Sequence, residues 1–135
     1  MVFYYDSKKE KTKALAIRKE LFEIYNKMLG PSDPKTIHSQ MLLGCSYEED
    51  DDIRNAFETY ERALSKCKDE KVIIQLLELL ERCYTKKGEF ENMLQLKGQA
   101  LAQRIKVFGK DHPVTIKATA NLAMIIKLVF DFFNQ

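Results

Sequence analysis

The chain has 135 residues, of which 45% are hydrophobic and 31% charged, and its formal net charge at pH 7 is +2. This balance is typical of a globular protein with a buried core, and it excludes an intrinsically disordered chain. Because positive and negative side chains are mixed along the chain and the net charge is small, it lacks the basic field that nucleic acid requires, and we expect no nucleic-acid partner. Only three prolines and five glycines interrupt it, which favours helices.

The cysteines and the most apolar segment indicate where the protein works. Cys45, Cys67 and Cys83 are odd in number and form no Cys-x-x-Cys pair, so they fit a reducing compartment better than a disulfide framework. The segment 122–133 contains two charged residues and is too short to cross a bilayer. The N-terminus lacks the basic and apolar regions of a secretory signal. We therefore expect a cytoplasmic protein with no membrane partner.

Six amphipathic segments predict an all-α fold in one domain, residues 1–135. The first helix is expected over 7–29, with apolar residues at the 3- and 4-residue spacing of one buried stripe. Gly30 and Pro31 should end it, and Asp33 before Pro34 has the composition of a helix N-cap and first turn. The predicted stripe consists of Leu15, Ile17, Leu21, Phe22, Ile24, Tyr25 and Met28.

The other five helices are expected over 34–48, 52–67, 71–86, 89–108 and 113–133. The acidic run 48–52 lies between two of them, and two interpretations are open: a patch for a divalent metal or basic partner, or a turn that leads into the next helix. The turn is favoured, because the alternating ligands and central glycine of a calcium loop are missing. Short connections predict that successive helices pack antiparallel.

The connection between the first two helices recurs near the end of the chain. The segments Leu29-Gly-Pro-Ser-Asp-Pro-Lys-Thr-Ile37 and Phe108-Gly-Lys-Asp-His-Pro-Val-Thr-Ile116 share glycine, proline, threonine and isoleucine, each pair 79 residues apart. The two middle helix pairs match at a shift of 37 residues, and a further shift of 42 reaches the last helix. Each pair therefore reads as one repeat with two apolar faces, which needs neighbours on both sides.

The motifs in these repeats resemble two related families. Leu43-Gly-Cys-Ser-Tyr47 with Ala63-Leu64 resembles the signature of the tetratricopeptide repeat (TPR). Ala100-Leu-Ala-Gln-Arg-Ile-Lys-Val-Phe-Gly-Lys-Asp-His-Pro113 with Asn121-Leu-Ala123 resembles the kinesin-light-chain variety. The resemblance implies a solenoid of stacked helical hairpins that acts as a non-catalytic scaffold or adaptor for a protein or peptide segment.

The histidines and cysteines were weighed as catalytic or metal-binding residues. His112 beside Asp111 could serve as a metal ligand or a base, but its counterpart in the first copy is Asp33, which favours a helix cap. His38 stands alone, and the cysteines fit small core or groove positions. No nucleophile is paired with a base, and no glycine-rich phosphate loop occurs. We expect no catalytic residues, no metal and no cofactor, and hence no enzyme.

The resemblance implies that the first helix of each hairpin lines a concave groove, and that an Asn before Leu-Ala holds an extended peptide. Lys117 lies one turn before Asn121, and Lys117 or Arg82 could bind a carboxylate, so we expect an acidic or mixed-charge peptide. Leu42 and Leu79 occupy the matching positions of the other hairpins, where the family pattern has asparagine. The groove residues expected from helical periodicity are His38, Met41, Cys45, Gln75, Glu78, Arg82, Lys117, Asn121 and Met124.

The ends of the chain depart from the repeat pattern. The last helix is not followed by the turn and partner helix of a complete hairpin, and its end is apolar where a polar cap is usual. The first helix resembles the second half of a hairpin. The alternative function is therefore self-association, or capping of a longer array, through the C-terminal helix. The expected association patch is Val129, Phe130, Phe132 and Phe133.

Overall fold

The computed structural model describes residues 2–134, with side-chain surroundings from Lys9 onward. This part of the chain forms six α-helices and no strand. They are α1 (Val2–Leu29), α2 (Pro34–Glu49), α3 (Ile53–Lys66), α4 (Glu70–Lys87), α5 (Phe90–Phe108) and α6 (Pro113–Phe133). Each helix packs against the next one along the chain, so the all-α stacked-hairpin fold predicted from the repeats is confirmed.

The helix bounds differ from the predicted ones mainly at the N-terminus. Helix α1 begins at Val2 rather than Ser7, because neither glycine nor proline occurs before Gly30 to interrupt it. The observed bounds of the other five helices lie within one residue of the predicted bounds. The expected single domain over residues 1–135 stays a prediction.

The two equivalent connections have the same geometry. Gly30 and Gly109 both adopt positive φ, at 90° and 89°, a conformation that glycine enters without a Cβ penalty. Asp33 accepts a hydrogen bond from the backbone N–H of Lys35 at 2.9 Å, and His112 Nδ1 accepts one from Val114 at 3.1 Å. The prediction that His112 caps a helix is therefore confirmed. Its ring nitrogen accepts the capping hydrogen bond that the Asp33 carboxylate accepts at the equivalent position.

The core lies in the middle of the stack, among α2, α3 and α4. Tyr60 of α3 is fully buried, and its ring lies directly against Gly44 of α2. A Cβ at Gly44 would stand 2.3 Å from the Tyr60 ring, so this contact requires glycine. The other buried members of the cluster are Ile37, Ala56, Ala63, Leu76, Leu80 and Cys83.

The predicted single buried stripe on α1 is wrong. Among its apolar residues only Leu15, Phe22 and Tyr25 are half-buried, while Ile17 is 63% exposed and Met28 77% exposed. The physical reason is that, among the described helices, α1 packs extensively only against α2, so just one of its two apolar faces is covered. The exposed face comprises Ile17, Leu21, Ile24 and Met28.

The acidic run divides into a buried residue and a turn. Asp52 caps α3, since its carboxylate accepts hydrogen bonds from the backbone N–H and the side-chain Nδ2 of Asn55 at 3.3 and 2.6 Å. Asp51 takes positive φ between the helices. Glu48, by contrast, lies in α2 as the predicted bounds 34–48 required, and its side chain is buried.

Candidate functional site

Three adjoining clefts follow the side of the stack formed by α2, α4 and α6. The first, of about 460 Å³, lies between the start of α2 and the connection from α3 to α4. The second, of about 350 Å³, lies between α2 and α4. The third, of about 550 Å³, lies between α4 and α6. His38, Met41 and Gln75 line both the first and second clefts, and Glu78 lines both the second and third. We call these three clefts together the groove.

The α2–α4 cleft brings together six of the nine residues that the sequence placed in a groove. They come from two helices of adjacent repeats, because residues at 3- and 4-residue spacing project from one face of each helix. Leu42 and Leu79 lie beside them and make this part of the groove apolar. The six predicted residues are His38, Met41, Cys45, Gln75, Glu78 and Arg82.

A buried carboxylate that sequence reasoning missed lies at one end of this cleft. Arg82 Nε donates a hydrogen bond to Glu48 Oε2 at 2.7 Å, and Lys86 Nζ lies 3.3 Å from the same oxygen. Burial favours a raised pKa for the Glu48 carboxyl, but the hydrogen bonds from Arg82 and Lys86 outweigh it and leave the pKa below its ordinary value. Arg82, expected to bind a ligand carboxylate, therefore already holds one from within the chain.

The spacing of α2 contained a signal for this buried carboxylate. Glu48 follows Ile37, Gln40 and Gly44 at 3- and 4-residue intervals, and all four positions are buried. Because Glu48 is acidic, we grouped it with the charged residues that follow it. Its position in the helical period of α2 instead indicated the face that packs in the core. Glu48 joins adjacent hairpins, since α2 supplies the carboxylate and α4 the two cations.

The α4–α6 cleft contains Lys117 and Asn121, one turn apart on α6. Two cations of α5 also reach it, and both are already paired: Arg104 with Glu78, and Lys97 with Glu81 at 3.6 Å. Within residues 9–134, the side chains of Lys117 and Asn121 form no hydrogen bond or ion pair with another residue. This cleft therefore offers an ammonium group and an amide whose bonding capacity is unused within the chain.

Burial also affects Glu81 on the wall of the same cleft. Its side chain is largely buried, which raises the pKa of the carboxyl, and the nearby Lys97 opposes that shift. The sequence interpretation placed α5 behind the groove and so missed Lys97 and Arg104. Their side chains pair with carboxylates of α4 at the cleft, which becomes apparent only when α5 packs against α4.

The remaining predicted residues lie outside these clefts. Met124 is exposed on α6 and lines none of the three. The predicted association patch lies on the last turns of α6. Its three aromatic side chains, Phe130, Phe132 and Phe133, are largely exposed, and Val129 is 37% exposed. Phe132 and Phe133 pack edge to face on each other, with ring centroids 5.5 Å apart.

In the described part of the chain, no helix is long and apolar enough to cross a membrane. No family model and no curated protein sequence matches the chain. Its fold is similar to the nearly identical TPR-like repeats of a Podosopora anserina protein described as a kinesin light chain. That crystal structure matches with a TM-score of 0.70 and 21% identity, over 90% of this chain and 60% of the other.

A second crystal structure, of a variant of the same Podosopora anserina protein, matches with the same TM-score and identity and is covered over 59% of its length. The chain thus has the fold of a TPR-like helical repeat protein, as its motifs predicted. It spans about 60% of the length of these solved structures.

Proposed function

We propose that the chain is a non-catalytic scaffold or adaptor that binds an extended protein segment in the groove along α2, α4 and α6. The observation that carries this proposal is the α4–α6 cleft, where Lys117 and Asn121 face open space without an internal partner. An amide can donate to and accept from one peptide unit, as a neighbouring strand would, and the ammonium group favours an acidic side chain or terminus.

The charge distribution supports a ligand that carries a few acidic groups, alone or mixed with basic ones. It does not favour a strongly acidic ligand. Internal carboxylates pair with Arg82, Lys97 and Arg104 along the groove. Lys117 in the third cleft and Lys68 in the first are the lysines among the described groove residues that form no ion pair. The adjoining α2–α4 cleft is largely apolar and suits aliphatic side chains of the same segment. The odd number and wide spacing of the cysteines fit a reducing compartment, which supports the cytoplasm as the proposed location.

Substitutions of Asn121 and Lys117 test this proposal. A random peptide array identifies the peptide that binds most tightly, and fluorescence anisotropy then measures its affinity for each variant. We expect Asn121→Ala to weaken binding about tenfold, the loss of one or two hydrogen bonds, and Lys117→Glu to weaken it further by charge reversal.

The controls for this test are variants of the same types outside the groove. Asn92→Ala on α5 and Lys110→Glu in the α5–α6 connection should bind the peptide as the wild type does, and circular dichroism should show that all four variants fold. Arg82→Glu is unsuitable, because it would place a second carboxylate against Glu48. Unchanged affinity in both groove variants would contradict the proposal.

A second function, self-association, is favoured by the exposed aromatic end of α6. Phe133 is 78% exposed, and its aromatic neighbours are open to solvent as well. Such a contiguous apolar patch usually marks an interaction site. Size-exclusion chromatography with light scattering should give a mass that rises with protein concentration. A constant mass of 15.8 kDa up to several hundred micromolar would exclude this function.

A further inference from the structure

Both end helices expose the face that the interior repeats of this same chain bury. Helices α1 and α5 are equivalent at a shift of 79 residues, and α6 is equivalent to α2 at the same shift and to α4 at a shift of 42. In the interior, α2 pairs with α3, and α4 pairs with α5, to form complete hairpins. Within the described residues, α6 corresponds to a first helix and α1 to a second helix, and neither packs against the partner that would complete its hairpin.

The exposed face of α1 corresponds residue by residue to the face that α5 packs against α4. Ile17 is equivalent to Leu96, which packs against the core, and Leu21 is equivalent to Ala100, which is fully buried. Ile24 and Met28 continue this face at helical spacing. The interior hairpin therefore shows which kind of element covers this face, namely a first helix.

The face of α6 that would pack against a second helix is likewise exposed, although its equivalents on α2 and α4 are buried. Ile116 is 54% exposed, although its equivalents Ile37 and Ile74 are only 3% and 6% exposed. Ala123 corresponds to Gly44, against which the Tyr60 ring of the second helix packs. A second helix is what covers these positions within the chain.

We infer that α6 of one copy packs against α1 of a second copy, so that the two helices complete a hairpin between molecules. The inference rests on the second proposed function, self-association, and adds the occupant of each face and its register. The contact is head-to-tail, since different faces of the two copies meet, and each added copy leaves the same two ends free. It lengthens the stack, as a further repeat would, instead of closing a two-fold dimer.

The register follows from the interior α4–α5 hairpin. There Glu78 pairs with Arg104, and Glu81 pairs with Lys97, which fixes an antiparallel alignment. Transferred by the repeat shifts, these pairs place Ala120 nearest Tyr25 and Ala123 nearest Arg18 of the second copy. Tyr25 and Arg18 are both half-buried residues beside the exposed face. Arg18 already donates hydrogen bonds to Ser46 Oγ and the Leu42 carbonyl of its own α2. Small residues on α6 thus meet long ones on α1, and neither pair sets like charges against each other.

The area available is sufficient for a specific contact. Large apolar side chains at these exposures each offer on the order of 100 Å², so the eight that lie on the two faces provide roughly 800 Å², to which polar atoms and backbone add. A specific interface needs about 1,000 Å² in total. The eight residues are Ile17, Leu21, Ile24 and Met28 of α1 and Ile116, Ile126, Phe130 and Phe133 of α6.

Two variants of the 135-residue chain, each blocked at one end, test this inference by sedimentation velocity. Ile17→Glu blocks the α1 face and Ile116→Glu blocks the α6 face. Because both residues are already exposed, both variants should keep the helical circular dichroism. The wild type should associate increasingly with concentration, and each variant alone should associate at least tenfold more weakly. The equimolar mixture should form a one-to-one dimer through its two intact faces.

Matched controls distinguish this specific contact from nonspecific hydrophobic association. Ala16→Glu and Leu128→Glu place the same charge on the same helices, at positions whose equivalents Gln95, Glu49 and Lys86 are exposed, and should associate as the wild type does. A monomeric wild type would overturn both self-association and this inference. An associating wild type would overturn the inference alone if Ile17→Glu still associated fully, or if the mixture stayed monomeric.

Discussion

Gly44→Ala should lower the free energy of unfolding by about 2 kcal/mol, although alanine is the better helix former. The added Cβ would lie 2.3 Å from Tyr60 Cε1 and within 2.8 Å of two further ring carbons. Tyr60 is fully buried, so its ring cannot move aside without displacing the core. Overpacking costs about 1–3 kcal/mol or more, which outweighs the gain of roughly 1 kcal/mol in helix propensity.

Gly98→Ala provides the matched control for this prediction. Gly98 lies inside α5, and a Cβ there meets nothing within 4 Å, so the substitution should raise stability by about 1 kcal/mol. Urea denaturation followed by circular dichroism measures both variants. The Gly44→Ala penalty should shrink in a Tyr60→Leu background, because the ring is gone. Stabilisation by both alanines would show that α2 and α3 do not approach as closely as described.

Glu48→Gln should lower the free energy of unfolding at pH 7 by roughly 1–2 kcal/mol. The substitution removes the charge that accepts hydrogen bonds from Arg82 and Lys86, and hydrogen bonds to charged groups contribute about 1.5–3 kcal/mol. We take the lower part of that range, because the side chains of Arg82 and Lys86 are about half exposed and solvent screens them. Glu49→Gln, at the exposed neighbouring residue, should have no comparable effect.

The same carboxylate predicts an acid dependence with a definite sign. The pKa of Glu48 is lower in the folded chain than its ordinary value of 4.5, so the unfolded chain binds the proton more readily. The contribution of Glu48 to stability is therefore complete when the pH is above the ordinary pKa of 4.5. It is lost as the pH falls through the lower pKa of the folded chain. Wild type and Glu48→Gln should converge in denaturation experiments at acidic pH. A constant difference from neutral to acidic pH would contradict this role.

Sequence reasoning predicted the fold well and the groove in part. The repeated connections place glycine, a capping side chain and proline at identical offsets, and those residues determine the helix ends locally. The six predicted residues from α2 and α4 line one cleft, because helical periodicity fixes which side chains share a face. Their role in binding stays a prediction. Met124 obeys the same periodicity and lines none of the three clefts, because no described helix packs beside it there.

What the sequence determined by itself was the number of helices, their repeat and their bounds from the end of α1 onward, because caps, breakers and apolar spacing act over a few residues. The tertiary structure decided which charges are satisfied and which apolar faces are covered. Glu48 becomes a partner of Arg82 only when α2 lies beside α4. Ile17 and Ile116 have the pattern of core residues, yet they are exposed. Burial depends on a neighbour across the stack, and a residue's own helix cannot specify whether that neighbour is present.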